Sequence, residues 1–116
     1  MYETLHHYID GKWTKGSSGK AQDVMNPATN AILGNLPHAS KADLDAALAA
    51  AQKGFNSWRK VSSMERGKII RKAGELIRTR ADAIATLLTM EQGKILAEAK
   101  MEVQGSADIC DWFAEE

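Results

Sequence analysis

The sequence predicts a mainly α fold preceded by a short N-terminal β-hairpin region, and three observations carry that expectation. Within the stretch 62–94, Ile69, Ala73, Leu76, Ile77, Ile84 and Leu88 recur at steps that keep them on one side of a helix. Ahead of it, Leu44, Leu48, Ala51, Phe55 and Trp58 trace a second stripe at helical spacing. The first third is instead broken by Asp10-Gly11, Gly16-Ser17-Ser18-Gly19 and Asn26-Pro27, the chemistry of turns between short strands. The expected division is a β-hairpin region over 1–38 and a helical segment over 39–116.

Taken in order, Tyr8-Ile9 and Lys12-Trp13 flank Asp10-Gly11, a pair that favours a type I′ turn because both central residues need positive φ. Thr14 to Lys20 reads as a solvated hairpin loop. Asp23 to Asn26 is a second strand, stopped by Pro27, which has no amide to give a ladder; Ala31 to Leu36 is a third, ending at Pro37. Helix signals begin at Ser40, with Asp43 three residues on as an imperfect capping box. Ser62 and Glu65 match the full pattern, serine oxygen to amide and carboxylate back to the cap. The helix they open runs toward Gly93, a left-handed terminator, with a break or kink over Arg78–Asp82 where Asp82 would cap a second segment. A last helix starts near Ile95, with Ile95, Ala99, Val103, Ser106, Cys110 and Phe113 on its apolar side. It reaches Glu116 with no C-cap or polar tail, which predicts a chain that continues.

Hydrophobic residues make up 44% of the 116, but aromatics only 6%, so alanine supplies much of the apolar content. A core built that way is shallow, and its helices must approach closely or borrow apolar surface from elsewhere. Fifteen basic and fifteen acidic residues cancel, which argues against a nucleic-acid binder relying on phosphate neutralisation. The balance is uneven along the chain. Lys and Arg dominate from Arg59 to Arg80, and Asp and Glu dominate from Asp82 to Glu116, so a basic helix is expected beside an acidic one. Surface pairs of that kind contribute only about 0–1 kcal/mol each and bias orientation more than stability. No apolar run approaches the length of a membrane span, the N-terminus has neither a secretory nor an organellar leader pattern, and the single cysteine suits a reducing compartment; the cytoplasm is expected.

Side-chain chemistry alone yields no reaction. Neither standard phosphate-binding glycine spacing occurs, and Gly16-Ser17-Ser18-Gly19-Lys20 only approximates one. His6, His7 and His38 have no Cys, Asp or Glu at zinc-ligand spacing. Cys110 sits late in a helix beside Asp108 and Asp111, without the cation, helix N-terminus or metal that a reactive thiolate needs; it reads as structural. Trp112 and Phe113 read as packing, and Met90 and Met101 as gap-fillers.

An ordered set of segments nevertheless resembles the N-terminal quarter of the NAD(P)-dependent aldehyde dehydrogenases. It comprises Tyr8 to Trp13, Val24-Met25-Asn26-Pro27-Ala28-Thr29, Ile32-Leu33-Gly34, Ala47 to Trp58, Arg66-Gly67-Lys68-Ile69 and Glu91-Gln92-Gly93-Lys94. The Glu-Gln-Gly-Lys step and the closing Trp112-Phe113-Ala114-Glu115-Glu116 look most like the succinate-semialdehyde dehydrogenase branch. The resemblance implies an N-terminal fragment of that α/β fold, with the Rossmann-like coenzyme domain incomplete. In the family a cysteine attacks the aldehyde, hydride passes to NAD or NADP, and an activated water releases the acid. It also implies that nucleophile, general base and coenzyme-binding segments lie beyond residue 116; Cys110 does not match the nucleophile's motif. The expected partners are the remainder of the chain, a small aldehyde and further copies in a homo-oligomer, with no nucleic acid and no membrane.

Two further positions follow from the resemblance. Several family members hold a monovalent cation between backbone carbonyls before the Asn-Pro and an acid before the Gly-Lys step. Here those are the carbonyls of Val24 and Met25 and the carboxylate of Glu91, oxygen ligands of the kind hard cations prefer. Gly105 matches a position that lines the aldehyde tunnel in some relatives, where a glycine offers room and no contact. Proline is usual after the Gly-Lys pair, whereas this chain has Ile95. The competing reading is a free-standing helical module for protein interaction or oligomerisation.

Overall fold

The computed structural model of the protein describes residues 4–116. The element order is β1 (His7–Ile9), β2 (Lys12–Thr14), β3 (Ala21–Met25), β4 (Ile32–Pro37), α1 (Lys41–Trp58), α2 (Ser63–Thr79), α3 (Ala81–Gln92) and α4 (Leu96–Glu115). The mainly α architecture with short preceding hairpins is therefore as expected. No helix among the described residues is long and apolar enough to cross a membrane. The chain forms two compact units, Met1–Arg59 and Lys60–Glu116, so α1 groups with the hairpins and α2, α3 and α4 form the other body.

In the first unit, β1 and β2 pair antiparallel with Ile9 opposite Lys12, leaving Asp10 and Gly11 as a two-residue turn. Their φ values of 48° and 77° are both positive, as a type I′ turn requires. β3 and β4 make a separate two-stranded sheet. Val24 pairs with Gly34 but Met25 with Ile32, so Leu33 is an extra residue and a bulge interrupts the ladder at the Val24–Met25 step. The Gly16–Lys20 loop is tied down rather than simply solvated: Ser17 bonds to Ser40 and Asp43 at the start of α1, and the Ser18 hydroxyl donates to the His38 carbonyl.

Helix α1 carries the complete capping box, the one the sequence marks as imperfect. Asp43 N–H donates to the Ser40 hydroxyl at 3.2 Å, and the Asp43 carboxylate accepts from Ser40 N–H at 2.7 Å. Ser62 and Glu65 form only half of the expected box. Glu65 N–H reaches the Ser62 hydroxyl, but the Glu65 carboxylate pairs with Lys68 at 2.8 Å, an ammonium competing for the same oxygens.

The expected spine 62–94 is two helices. α2 ends at Arg80, whose φ of −110° and ψ of 10° are not helical, and α3 begins with Arg80 as its N-cap and no side-chain capping bond. Asp82 does not cap; it lies in the first turn of α3, where its carboxylate meets Lys100 of α4 at 2.7 Å. Gly93, at φ 82°, ends α3 in the left-handed conformation as the sequence predicts.

The core of the second unit is made of small residues. Ala85, Ala99 and Val103 form a buried cluster against which Ile77, Ala81 and Leu88 pack. α2 and α4 run antiparallel and meet through glycine and alanine. A Cβ at Gly67 would lie 2.5 Å from the Ala114 carbonyl oxygen, and one at Gly74 would lie 3.1 Å from that of Ala107. The helices approach closely because those two positions have no side chain, and each recurs seven residues on, as Ala107 and Ala114 do on the facing helix. Two expected stripes are corrected accordingly. Ile69, Leu76 and Ile84 are exposed, while the neighbouring glycines make the α2 contact. On α4 the inward residue is Ala107 rather than Ser106, and Ile95 and Phe113 face out, since the i, i+4 line through Ala99 and Val103 continues to Ala107. Met101 is exposed and fills no gap.

The expected pairing of basic and acidic helices is present. Arg71 meets Glu115, and Arg78 bridges Asp108 and Asp111, each at 2.7 Å. Hydrogen bonds that Arg78 donates to Asp108 and then Asp111 hold its guanidinium above its ordinary range, and Arg78 with Gln104 holds Asp108 below its own. Lys94, only 17% exposed at its side chain, meets Glu102 at 2.6 Å and pins the link between α3 and α4.

Candidate functional site

The most densely bonded polar cluster in the first unit lies where the 16–19 loop meets α1. Ser40 N–H, Ser17 N–H and the Ser17 hydroxyl donate to one oxygen of Asp43 at 2.7, 2.8 and 2.9 Å. The Ser17 and Ser40 hydroxyls share a further bond of 2.7 Å. The amide of Ser40, then that of Ser17, keeps Asp43 far below the usual carboxylate range. Each donor is committed to the carboxylate or a neighbouring hydroxyl, so the cluster acts as a clasp on the helix start. Sequence spacing shows the Ser40–Asp43 part; the Ser17 contact, across 26 positions, leaves no local signal.

Beside α1, the β1–β2 turn shelters an open groove of about 380 Å³. Tyr8, Asp10 and Gly11 form one wall, and Ala47, Ala50 and Ala51 form the floor. Lys53 reaches Asp10 at 3.3 Å, and the rings of Tyr8 and Trp13, cross-strand partners, lie 4.9 Å apart.

The histidines are separately engaged. His6 Nδ1 lies 3.0 Å from the Thr4 carbonyl, and His38 Nε2 lies 3.1 Å from Gln22 Oε1. His7 Nε2 is buried without a hydrogen-bond partner, and the Cβ position of Gly16, itself at positive φ, is 3.1 Å from it. Among the described residues no three His, Cys, Asp or Glu side chains gather as a metal site. Of the residues matched to the cation set, Val24 and Met25 end β3 at the bulge, where regular ladder pairing of the backbone is broken, and Glu91 occupies the last turn of α3.

In the second unit Cys110 is half-buried in the α2–α4 seam, its Cβ 3.2 Å from the Cβ position of Gly74, with the Asp111 carboxylate at 3.3 Å from the same point. Its place is a packing position, as its sequence context suggests. Trp112 and Phe113 do not pack here; both are exposed. Around Gly105 nothing lies within 4 Å of a Cβ position, so the helix presents a notch there. The sequence reading missed Gly67 and Gly74 as contact residues, although their seven-residue spacing on one helix was a visible signal.

Comparison with known proteins bears on the same segments. Residues 13–116 match the model of the aldehyde dehydrogenase family. The chain is 40% identical over 109 residues to glutarate-semialdehyde dehydrogenase of Pseudomonas putida, covering 94% of this chain and 23% of that protein. It is 41% identical to succinate-semialdehyde dehydrogenase (NADP(+)) of Escherichia coli, covering 93% and 22%. The crystal structure of an aldehyde dehydrogenase from Brucella melitensis superposes with a TM-score of 0.93 at 39% identity, over 96% of this chain and 23% of that one. The chain thus spans about 23% of the length of the curated relatives it matches.

Proposed function

The chain belongs to the aldehyde dehydrogenase family, and on that premise we propose that it is the N-terminal part of an enzyme oxidising a semialdehyde, succinate semialdehyde among the candidates, to the acid. In that reaction a cysteine outside these residues attacks the aldehyde to give a thiohemiacetal, NAD or NADP accepts the hydride, and water releases the product. The role of residues 4–116 is structural: hairpins and helices that pack on the coenzyme-binding domain, with Cys110 committed to the α2–α4 seam. One observation carries the reading, the match of nearly the whole chain to less than a quarter of semialdehyde dehydrogenases, at about 40% identity. The single cysteine supports a reducing compartment, the cytoplasm.

The test is direct. The purified 116-residue chain, given succinate or glutarate semialdehyde with NAD or NADP, should reduce no nicotinamide. The reading frame should continue past Glu116 into a cysteine-bearing segment, and the longer product should turn over the same substrates. Turnover by the 116-residue chain that disappears in Cys110→Ala would overturn the assignment.

A second reading, a helical interaction or oligomerisation module, is favoured by the exposed apolar residues Leu44, Leu48 and Phe55 on α1 and Ile109, Trp112 and Phe113 on α4. A natural stop codon after Glu116, with a monodisperse oligomer in sedimentation, would select it.

A further inference from the structure

We draw no further inference here: the strongest candidate, the exposed apolar stripe of Leu44, Leu48 and Phe55 along α1 beside the groove under the β1–β2 turn, is an unpartnered face, and nothing in the structure shows what covers it.

Discussion

The two units are held together by different forces. Among the described residues, every one that is buried, glycine or alanine or Val103, belongs to Lys60–Glu116, and none belongs to Met1–Arg59. The first unit is organised by directional polar contacts: a type I′ turn, a complete capping box, and the Ser17–Asp43 clasp. The second is organised by shape, two helices brought together because Gly67 and Gly74 are bare. The difference teaches what an alanine-rich composition permits. With the large apolar side chains left exposed, the buried core forms only where backbones come close, and elsewhere the chain relies on hydrogen bonds that each contribute about 1 kcal/mol net.

The largest effect expected from breaking this contrast is at Gly67. Alanine normally stabilises a helix interior by about 1 kcal/mol over glycine. At Gly67 a methyl would meet the Ala114 carbonyl at 2.5 Å, a backbone atom with no rotamer to yield. Gly67→Ala should therefore destabilise the second unit by about 3 kcal/mol, near the upper end of overpacking costs. Gly54→Ala, in α1 with open space around its Cβ, should stabilise the first by about 1 kcal/mol. Urea denaturation of both variants reads the two signs, and stabilisation by Gly67→Ala would mean the seam is loose.

Next comes the clasp. Ser40→Ala removes the hydroxyl that caps α1 and bonds Ser17, and should cost about 1 kcal/mol, typical of a lost N-cap. Amide exchange should speed up across the start of α1 and the 16–19 loop while α2 and α4 stay unchanged. Slowed or unaltered exchange in the loop would show that the clasp does not restrain it.

A smaller effect follows from pH. Asp43 in the first unit, and Asp82 and Asp108 in the second, are held below the ordinary carboxylate range. A depressed carboxylate contributes stability above its unfolded value of about 3.9, lost as pH falls through the folded value. Acid should therefore weaken both units below about pH 4. Asp43→Asn should flatten the acid response of α1 alone, followed by helix-resolved NMR; an unchanged response there would show that Asp43 is not its source.

How much of this was legible depended on range. The Asp10-Gly11 turn, the Pro27 stop, the Gly93 terminator and the opposite charges of α2 and α4 all stand in local sequence, because each depends on neighbours or on net composition. Ser62 and Glu65 fit a pattern that Lys68 then disrupts, since a pattern names possible partners and not the competitor for them. The apolar stripes are covered only in part, for a related reason. Hydrophobic periodicity marks which face seeks cover, and Ile77 and Leu88 of that stripe do pack on the core, but the closest approach falls on glycines that such a scan counts as blank. Ile69, Leu76, Leu44 and Leu48 thus lie exposed along helices whose existence they correctly indicated. The bulge at the Val24–Met25 step, which depends on the register between β3 and β4, has no mark in the local sequence.

Native-state hydrogen exchange, resolved by helix, tests the central contrast most directly, because protection follows burial and packing rather than helical propensity. The account predicts that amides in the middle of α2 and α4, around Gly74 and Val103, exchange slowest in the chain, and that those in the middle of α1 exchange markedly faster despite its complete capping box. Equal protection of α1 and α4, or stronger protection of α1, would contradict it.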